Sequence, residues 1–436
     1  MQQIDTLINA HWIVPVEPAG VVLDHHALAI DGDRIVALLP QAEAEARYQA
    51  RNVHDLPAHA LIPGLVNAHS HAAMTLLRGY ADDLPLMTWL SDYIWPAEGK
   101  HVGAEFVHDG SLLGFAEMLR GGVTCVSDMY FFPEATARAA LQLGMRVTVG
   151  MPLIEFPSAY AQTPDEYLKK GLALHDQYRG HPLISTALAP HAPYTVSDAS
   201  LRRVRALADQ LDIPIHMHIH ETAAEVERGV AETGQRPLAR LHDLGLLSPT
   251  LIGVHLTQLT DAEIALIGAS GMHVVHCPHS NLKLASGFCP VQALHAAGVN
   301  VAIGTDSAAS NNSLDLLAEL RTAAMLAKAV ANDAAAIPAH AALAMATING
   351  ARALGLADQI GSLEPGKAAD VVAVDFGGID SAPIYHPLSQ LVYASNRNQI
   401  SDVWIAGRQQ LRNGSLINLD TDPVLGKARA WRDKIA

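Results

Sequence analysis

The hydrophobic pattern changes character twice along the chain. Residues 1–60 carry apolar runs that partly alternate with polar positions, as in IDTLINAHWIVPV and HHALAIDGDRIVALLP. Asp31-Gly32-Asp33 falls between two such runs, and Asp-Gly there is a hairpin signal. The C-terminal stretch reads the same way: AADVVAVDF and ISDVWIAGRQQLRNGSL are strand-like runs separated by Gly and Asn turns. Between these ends, continuous apolar runs alternate with helix-periodic stretches such as SLLGFAEMLRGG and DASLRRVRALADQL. The runs predict strands at Leu61–Asn67, Val123–Ser127, Arg146–Gly150, Leu183–Ala189, Ile213–His218, Leu251–His255, His273–His276 and Val299–Thr305. Strands apolar along their whole length belong to a parallel sheet covered on both faces. Eight strand–helix repeats therefore predict an α/β fold. It is a (β/α)8 TIM-type barrel over residues 61–366, with a small composite β-sandwich domain built from residues 1–60 and 367–436. A doubly wound sheet is the alternative, but nothing resembles its GxGxxG phosphate turn.

Composition narrows the function classes. Half of the 436 residues are hydrophobic and 17% are charged, enough for a large core. A formal charge of −15 argues against nucleic acid or another polyanion as partner. Cys125, Cys277 and Cys289 form no CxxC pair and no disulfide framework, which fits a reducing cytoplasm. The N-terminus has no basic segment leading into an apolar one, and no run is long enough to cross a membrane. The expected setting is cytoplasmic, with a small-molecule substrate and no membrane.

In a barrel of this kind, chemistry sits at the carboxyl ends of the strands. The first predicted strand, LIPGLVNAHSH, ends in His69-Ser70-His71, and alternation along a strand points both imidazoles the same way. An HxH pair alone is weak, because the chain has 23 histidines. Partners recur, however, at other strand ends. APHAPYT brings His191; IPIHMHIHETAAE brings His216, His218 and His220, then Glu221. The sixth strand ends in His255, the seventh in HCPHSN, and the eighth in GTDS with Asp306. Any one of these is more often an ordinary interior or loop polar residue. Five strand ends in agreement point to a metal site.

This constellation resembles the amidohydrolase superfamily of metal-dependent hydrolases over nearly the whole chain, including the β-domain signature at Gly361–Asp375, GSLEPGKAADVVAVD. The resemblance implies that His69, His71, His218 and Asp306 are metal ligands. Three imidazoles and a carboxylate suit one Zn2+ per subunit, with Fe2+ used in some relatives. Binuclear members bridge two metals through a strand-four lysine or glutamate; LISTALAPH has neither, so one metal is expected. Four longer stretches are similar to the 5-methylthioadenosine/S-adenosylhomocysteine deaminase family: TWLSDYIWPAEGKHV, APHAPYTVSD, HCPHSNLKLASG and GTDSAASNNSLDL. By that similarity Glu98 would hold the ribose hydroxyls and His191 would contact the substrate.

The activity so implied is hydrolytic deamination at C6 of an adenine nucleoside. Asp306 would take the proton of the attacking water, Glu221 would protonate N1, and His255 would hydrogen-bond the attacking oxygen. Glu221 and Asp306 would thus also touch the substrate. A nucleoside is the expected ligand, and a homo-oligomer, a dimer, is expected from relatives. Many members carry an arginine after strand three for the homocysteine carboxylate; here that region reads RVTVGMPLIEF, with Gly150 and Met151 in its neighbourhood and Arg146 inside the strand. Met151, Leu153 and Phe156 could line a methylthio pocket there, or could be core. The expectation is a preference for 5′-methylthioadenosine. Rival readings are a guanine or cytosine deaminase or a triazine chlorohydrolase, an amide-ring hydrolase of the dihydroorotase type, and a non-catalytic binding module.

Overall fold

The computed structural model describes all 436 residues. Four strands come from the N-terminal part: β1 (Gln2–Ile13), β2 (Leu23–Asp31), β3 (Arg34–Pro40) and β4 (Tyr48–Pro63). Eight follow in the middle: β5 (Leu65–Ser70), β6 (Val123–Met129), β7 (Arg146–Leu153), β8 (Ile184–Pro190), β9 (Ile215–Ile219), β10 (Leu251–His255), β11 (His273–His276) and β12 (Val301–Ile303). Four close the chain: β13 (Val371–Asp375), β14 (Ile400–Ile405), β15 (Arg408–Arg412) and β16 (Ser415–Leu416).

The terminal strands form one sheet in the order β16-β15-β14-β13-β4-β1-β2-β3. The β2–β3 hairpin turns at Gly32, whose φ of +59° suits a residue without Cβ. The sheet folds over on itself. Ile35 N–H on its β3 edge donates to Lys367 O at 2.9 Å, and Ala369 N–H donates to Asp33 O at 2.9 Å. Leu28 and Ile30 consequently share one apolar cluster with Val371, Ala373 and Trp404 from the other end of the sheet. The sequence pattern missed one element here, a short helix at Gln41–Arg47 that buries only Ala44. Seven mostly polar residues are too few to show an apolar face.

The eight middle strands pair in parallel in the order β5 to β12, as the alternation of apolar runs and helices predicts. The structure moves the first boundary. Leu61–Pro63 is the end of β4, paired with β13, and the barrel strand begins at Leu65. Gly64 separates the two because a Cβ there would lie 2.0 Å from Thr124 Oγ1. The eighth strand is also shorter than predicted, since Gly304 leaves it: a Cβ at Gly304 would lie 2.7 Å from His69 Cβ.

The ring closes there by a seam rather than a full ladder. Asp306 N–H donates to His69 O at 3.1 Å, beside an isolated parallel bridge between Ser70 and Asp306. The Asn67 side chain completes the seam, accepting Thr305 N–H at 3.0 Å and donating to Thr305 Oγ1 at 2.8 Å. No helix is long and apolar enough to cross a membrane. The last helix, Thr421–Ile435, packs on the barrel helix Ala104–Arg120 through Trp431, edge-on to Phe106 at 5.3 Å.

A buried ion pair ties barrel to sheet. Arg146, the first residue of β7, gives Nε and Nη2 to the two oxygens of Asp370, each at 3.1 Å, and Asp370 also accepts Ala406 N–H at 2.8 Å. Removing one member of such a pair strands the other charge in the interior. Asp370→Ala should therefore cost about 3–5 kcal/mol, seen as a lower denaturant midpoint for the metal-free protein; an unchanged midpoint would deny the pair that role.

Candidate active site

Apart from Glu98, the candidate residues lie where the barrel fold predicts, at or just beyond a strand's carboxyl end. His69 is in β5 and His71 follows it; His191 follows β8; His218 is in β9; His255 ends β10; Asp306 follows β12. His69 Nε2 and His71 Nε2 lie 3.4 and 3.3 Å from Asp306 Oδ1. His218 Nε2 lies 3.3 Å from His71 Nε2. Nitrogens of His69, His218 and His255 also fall within 4.8 Å of one another.

The far side of each ring shows why these nitrogens face inward. His71 Nδ1–H donates to Met129 O, and His218 Nδ1–H donates to His191 O at 2.8 Å. A carbonyl can only accept, so each ring carries a proton on Nδ1, and in the neutral ring that a metal ligand must be, Nε2 is then a bare lone pair. Two lone pairs facing each other at 3.3 Å repel unless a cation lies beside them. His69 Nε2 is likewise buried with no hydrogen-bond partner. On Asp306, Ser280 and Ser310 hydroxyls donate to Oδ2 at 2.6 and 3.0 Å, which leaves Oδ1 for the cluster. Burial alone would raise the Asp306 pKa, but His69, His71 and His255 hold it well below the usual carboxylate range. Burial pushes His69 down to about 4 and His218 well below the ordinary imidazole value. Three imidazoles and one carboxylate converging in this way form a fitting set for a transition-metal ion.

Glu221 enters the site because the chain turns sharply after β9. His220 has φ +53°, and its Nε2 accepts Leu238 N–H at 3.1 Å beneath the barrel mouth. The turn is held by Glu225, whose carboxylate accepts His220 N–H at 3.1 Å and Glu221 N–H at 2.7 Å. Glu221 thereby reaches the cleft, 3.9 Å from His255 Nε2. Burial raises its pKa, with Asp306 adding to the effect against His255 and His71. His255 itself is fixed by Nδ1–H donation to Asn281 Oδ1 at 2.9 Å.

The cleft above these groups has a volume of about 1090 Å3. One wall is a continuous helical excursion over residues 86–101, with a π-helical stretch at Trp89–Ile94, and it carries Glu98. Tyr130 O–H, just past β6, donates to Glu98 Oε1 at 2.5 Å, and burial raises the Glu98 pKa against that bond. His191 lies at the cleft with Nδ1 3.0 Å from Thr195 Oγ1. Leu153, Ile154 and Phe156 line the wall after β7. Met151 does not: it is buried against Gly171, the core alternative of the two readings open for it. Arg146 is at the other end of β7, held by Asp370. Two arginines do line the cleft, and both already face carboxylates. Arg240 binds Asp198 at 2.7 Å, and the half-exposed Arg228 binds Glu232 at 2.7 Å.

A model of the amidohydrolase family matches residues 60–409. A 5-methylthioadenosine/S-adenosylhomocysteine deaminase of Teredinibacter turnerae is 52% identical over 432 residues, 99% of this chain and 98% of that protein. The chain belongs to the amidohydrolase family, in this deaminase branch. A crystal structure of an adenosine deaminase from Xanthomonas campestris with bound zinc superimposes with a TM-score of 0.99 at 57% identity, covering 100% of this chain and 99% of that one. A zinc complex of atrazine chlorohydrolase from Arthrobacter aurescens gives 0.92 at 23% identity over 98% and 100% of the two chains, a likeness of fold alone.

Several members of the site escaped the sequence reading: Tyr130, Glu225, Asn281, Ser280 and Ser310. Their roles depend on which strand ends become neighbours; Ser280 and Asn281 lie in HCPHSNLKLASG, Ser310 in GTDSAASNNSLDL and Glu225 at the end of IPIHMHIHETAAE, but nothing local to those stretches gives them a role. For an amidohydrolase, the depressed imidazoles have a consequence for pH. Ligand histidines must be unprotonated to bind metal, and an ordinary imidazole begins to lose that capacity below about pH 6.5. With His69 lowered to about 4 and His218 lowered well below the ordinary value, both by burial, protons compete less for these two ligands at pH 5.5 than for ordinary imidazoles. Metal loaded at pH 7.5 should therefore survive dialysis at pH 5.5 and leave near pH 4; loss of most of it at pH 6 would contradict the depressed values.

Proposed function

We propose that this enzyme is a mononuclear zinc aminohydrolase that removes the C6 amino group of 5′-methylthioadenosine, giving the inosine analogue and ammonia. The observation that carries the metal reading is the pair of bare Nε2 lone pairs on His71 and His218, both aimed at the site by carbonyl anchors. His69, His71, His218 and Asp306 would hold the ion. β8 offers no lysine or glutamate to bridge a second one. Zinc bound there would lower the pKa of a water to about 7 and so supply a nucleophile at neutral pH.

The chain's own residues would do the rest. Asp306, ionised well below neutrality, accepts the proton of the attacking water. Glu221, its pKa raised by burial, carries a proton to N1 so that the ring can take up charge as C6 is attacked. His255 Nε2, free because Nδ1–H is committed to Asn281, hydrogen-bonds the attacking oxygen. His191 contacts the base from β8. Glu98 receives the ribose hydroxyls: Tyr130 takes up one acceptor position of its carboxylate, and the remaining lone pairs can serve a vicinal diol. That acid favours a nucleoside over a free base such as guanine or cytosine, or a triazine. All these residues lie within 61–366, which supports treating that span as the catalytic domain and 1–60 with 367–436 as the composite β-domain. The three cysteines are free and buried, which supports a reducing, cytoplasmic setting.

Two experiments test the reading. His218→Ala should lose its zinc, whereas Glu221→Gln should keep it while turnover falls at least about a hundredfold; normal turnover in Glu221→Gln would remove the proposed proton route. The second concerns the tail of the substrate. The wall after β7 is mostly apolar and its one charged residue, Glu155, is acidic; Arg146 is consumed by Asp370, and the exposed Arg228 is already paired with Glu232 in contact with water, where ion pairs are weak. The homocysteine carboxylate thus gains little here, while a methylthio group fits the apolar wall. kcat/KM for 5′-methylthioadenosine should exceed that for S-adenosylhomocysteine by roughly tenfold or more. Equal values at matched pH and metal loading would overturn the preference and point to Arg228.

A further inference from the structure

A second polar layer lies inside the barrel beneath the site. The interior of such a barrel is normally filled by branched apolar side chains. Here His69 on β5, Ser127 on β6 and His216 on β9 are each fully buried and bonded to one another. His69 Nδ1 lies 3.0 Å from His216 Nε2, and His216 Nδ1 lies 3.0 Å from Ser127 Oγ. Nothing in the reaction uses Ser127 or His216.

The chain of bonds does for His69 what backbone carbonyls do for His71 and His218. For His69 to present a bare Nε2 it must carry its proton on Nδ1 and donate it to His216 Nε2. His216 must then carry its own proton on Nδ1, and only Ser127 Oγ is there to accept it. A carbonyl enforces this order by its nature, whereas a second imidazole does not. His216 could equally donate from Nε2, and His69 would then turn an N–H toward Asp306. The serine hydroxyl can accept as well as donate, so it satisfies the His216 Nδ1–H in the arrangement that metal binding requires, and the two bonds also fix both ring planes.

We propose that Ser127 and His216 are positioning residues that set the ring orientation and tautomer of His69 and thereby the metal affinity of the site. This rests on the reading that His69 is a metal ligand. Outer partners of metal-bound histidines typically contribute ten- to a hundredfold in affinity. The test is the zinc dissociation constant of the apo protein, measured by competition with a chelator, alongside the thermal midpoint of each metal-free variant. Ser127→Ala should weaken zinc binding about tenfold, and His216→Phe, which leaves the His69 Nδ1–H without an acceptor, up to about a hundredfold. Ser127→Thr restores the hydroxyl and should bind zinc within about twofold of the parent, a margin well inside the tenfold loss expected without the hydroxyl.

The outcomes separate cleanly. A parent protein that binds no zinc removes the underlying reading. A parent that binds, together with Ser127→Ala at unchanged affinity, overturns the positioning role. A lower metal-free midpoint in Ser127→Ala without weaker binding makes the serine merely structural, and Ser127→Thr as weak as Ser127→Ala shows that the hydroxyl is not what matters. If His216→Phe fails to fold, the two Ser127 variants decide alone.

Discussion

The seam between β5 and β12 is the constraint on which the rest depends. Parallel strands cannot be joined by tight turns, so the first and last members of the ring meet only if everything between them has the right size and tilt. Here they meet with little backbone pairing, and Ser70 and Asp306 face each other 236 residues apart in the chain. Asn67 substitutes for missing ladder bonds, and Gly304 permits the close approach of His69. The metal-ligand candidates from β5 and β12 are the side chains at this seam. A fault in closure would separate His69 and His71 from Asp306 before it disturbed any other part of the site.

The inward end of the barrel also explains the electrostatics. Burial opposes protonation of imidazoles and ionisation of carboxylates, and the site uses both tendencies. Burial lowers the pKa of His69, His191, His216 and His218, while it raises those of Glu221 and Glu98. Asp306 is the exception, because three imidazoles surround it. Two carboxyl groups in one cleft thus have their pKa values pushed in opposite directions, Asp306 down toward a proton acceptor and Glu221 up toward a proton donor.

Much of this was legible in the chain, and the limits of legibility have physical causes. HxH, the β9 histidines, Glu221 and Asp306 stood out because a strand end is a local feature and polar residues after apolar runs are conspicuous. The alternation of runs fixed eight parallel strands. What the pattern could not supply was contact between elements. Leu61–Pro63 reads as part of the same apolar run as Leu65, and only pairing with β13 separates them. Met151 and Leu153 look alike in sequence, yet one packs against Gly171 and the other faces the cleft. His216 reads as one more alternating histidine, and its neighbours on β5 and β6 give it a separate role.

Glu98 sits on the helical excursion 86–101, while Glu221, His255 and the candidate ligands sit on strand ends. On the proposed function, bond-breaking and recognition of the ribose are therefore carried by separate parts of the polypeptide. The excursion enters and leaves near β5 without contributing a strand, and its inner face, Trp89, Ile94 and Ala97, packs on Met74, Leu77 and Leu284. A lineage could exchange this segment for another of similar apolar footprint and acquire a new substrate while leaving the hydrolytic machinery intact. Gene segments encoding such an excursion are natural units for recombination between relatives, in the laboratory as in evolution.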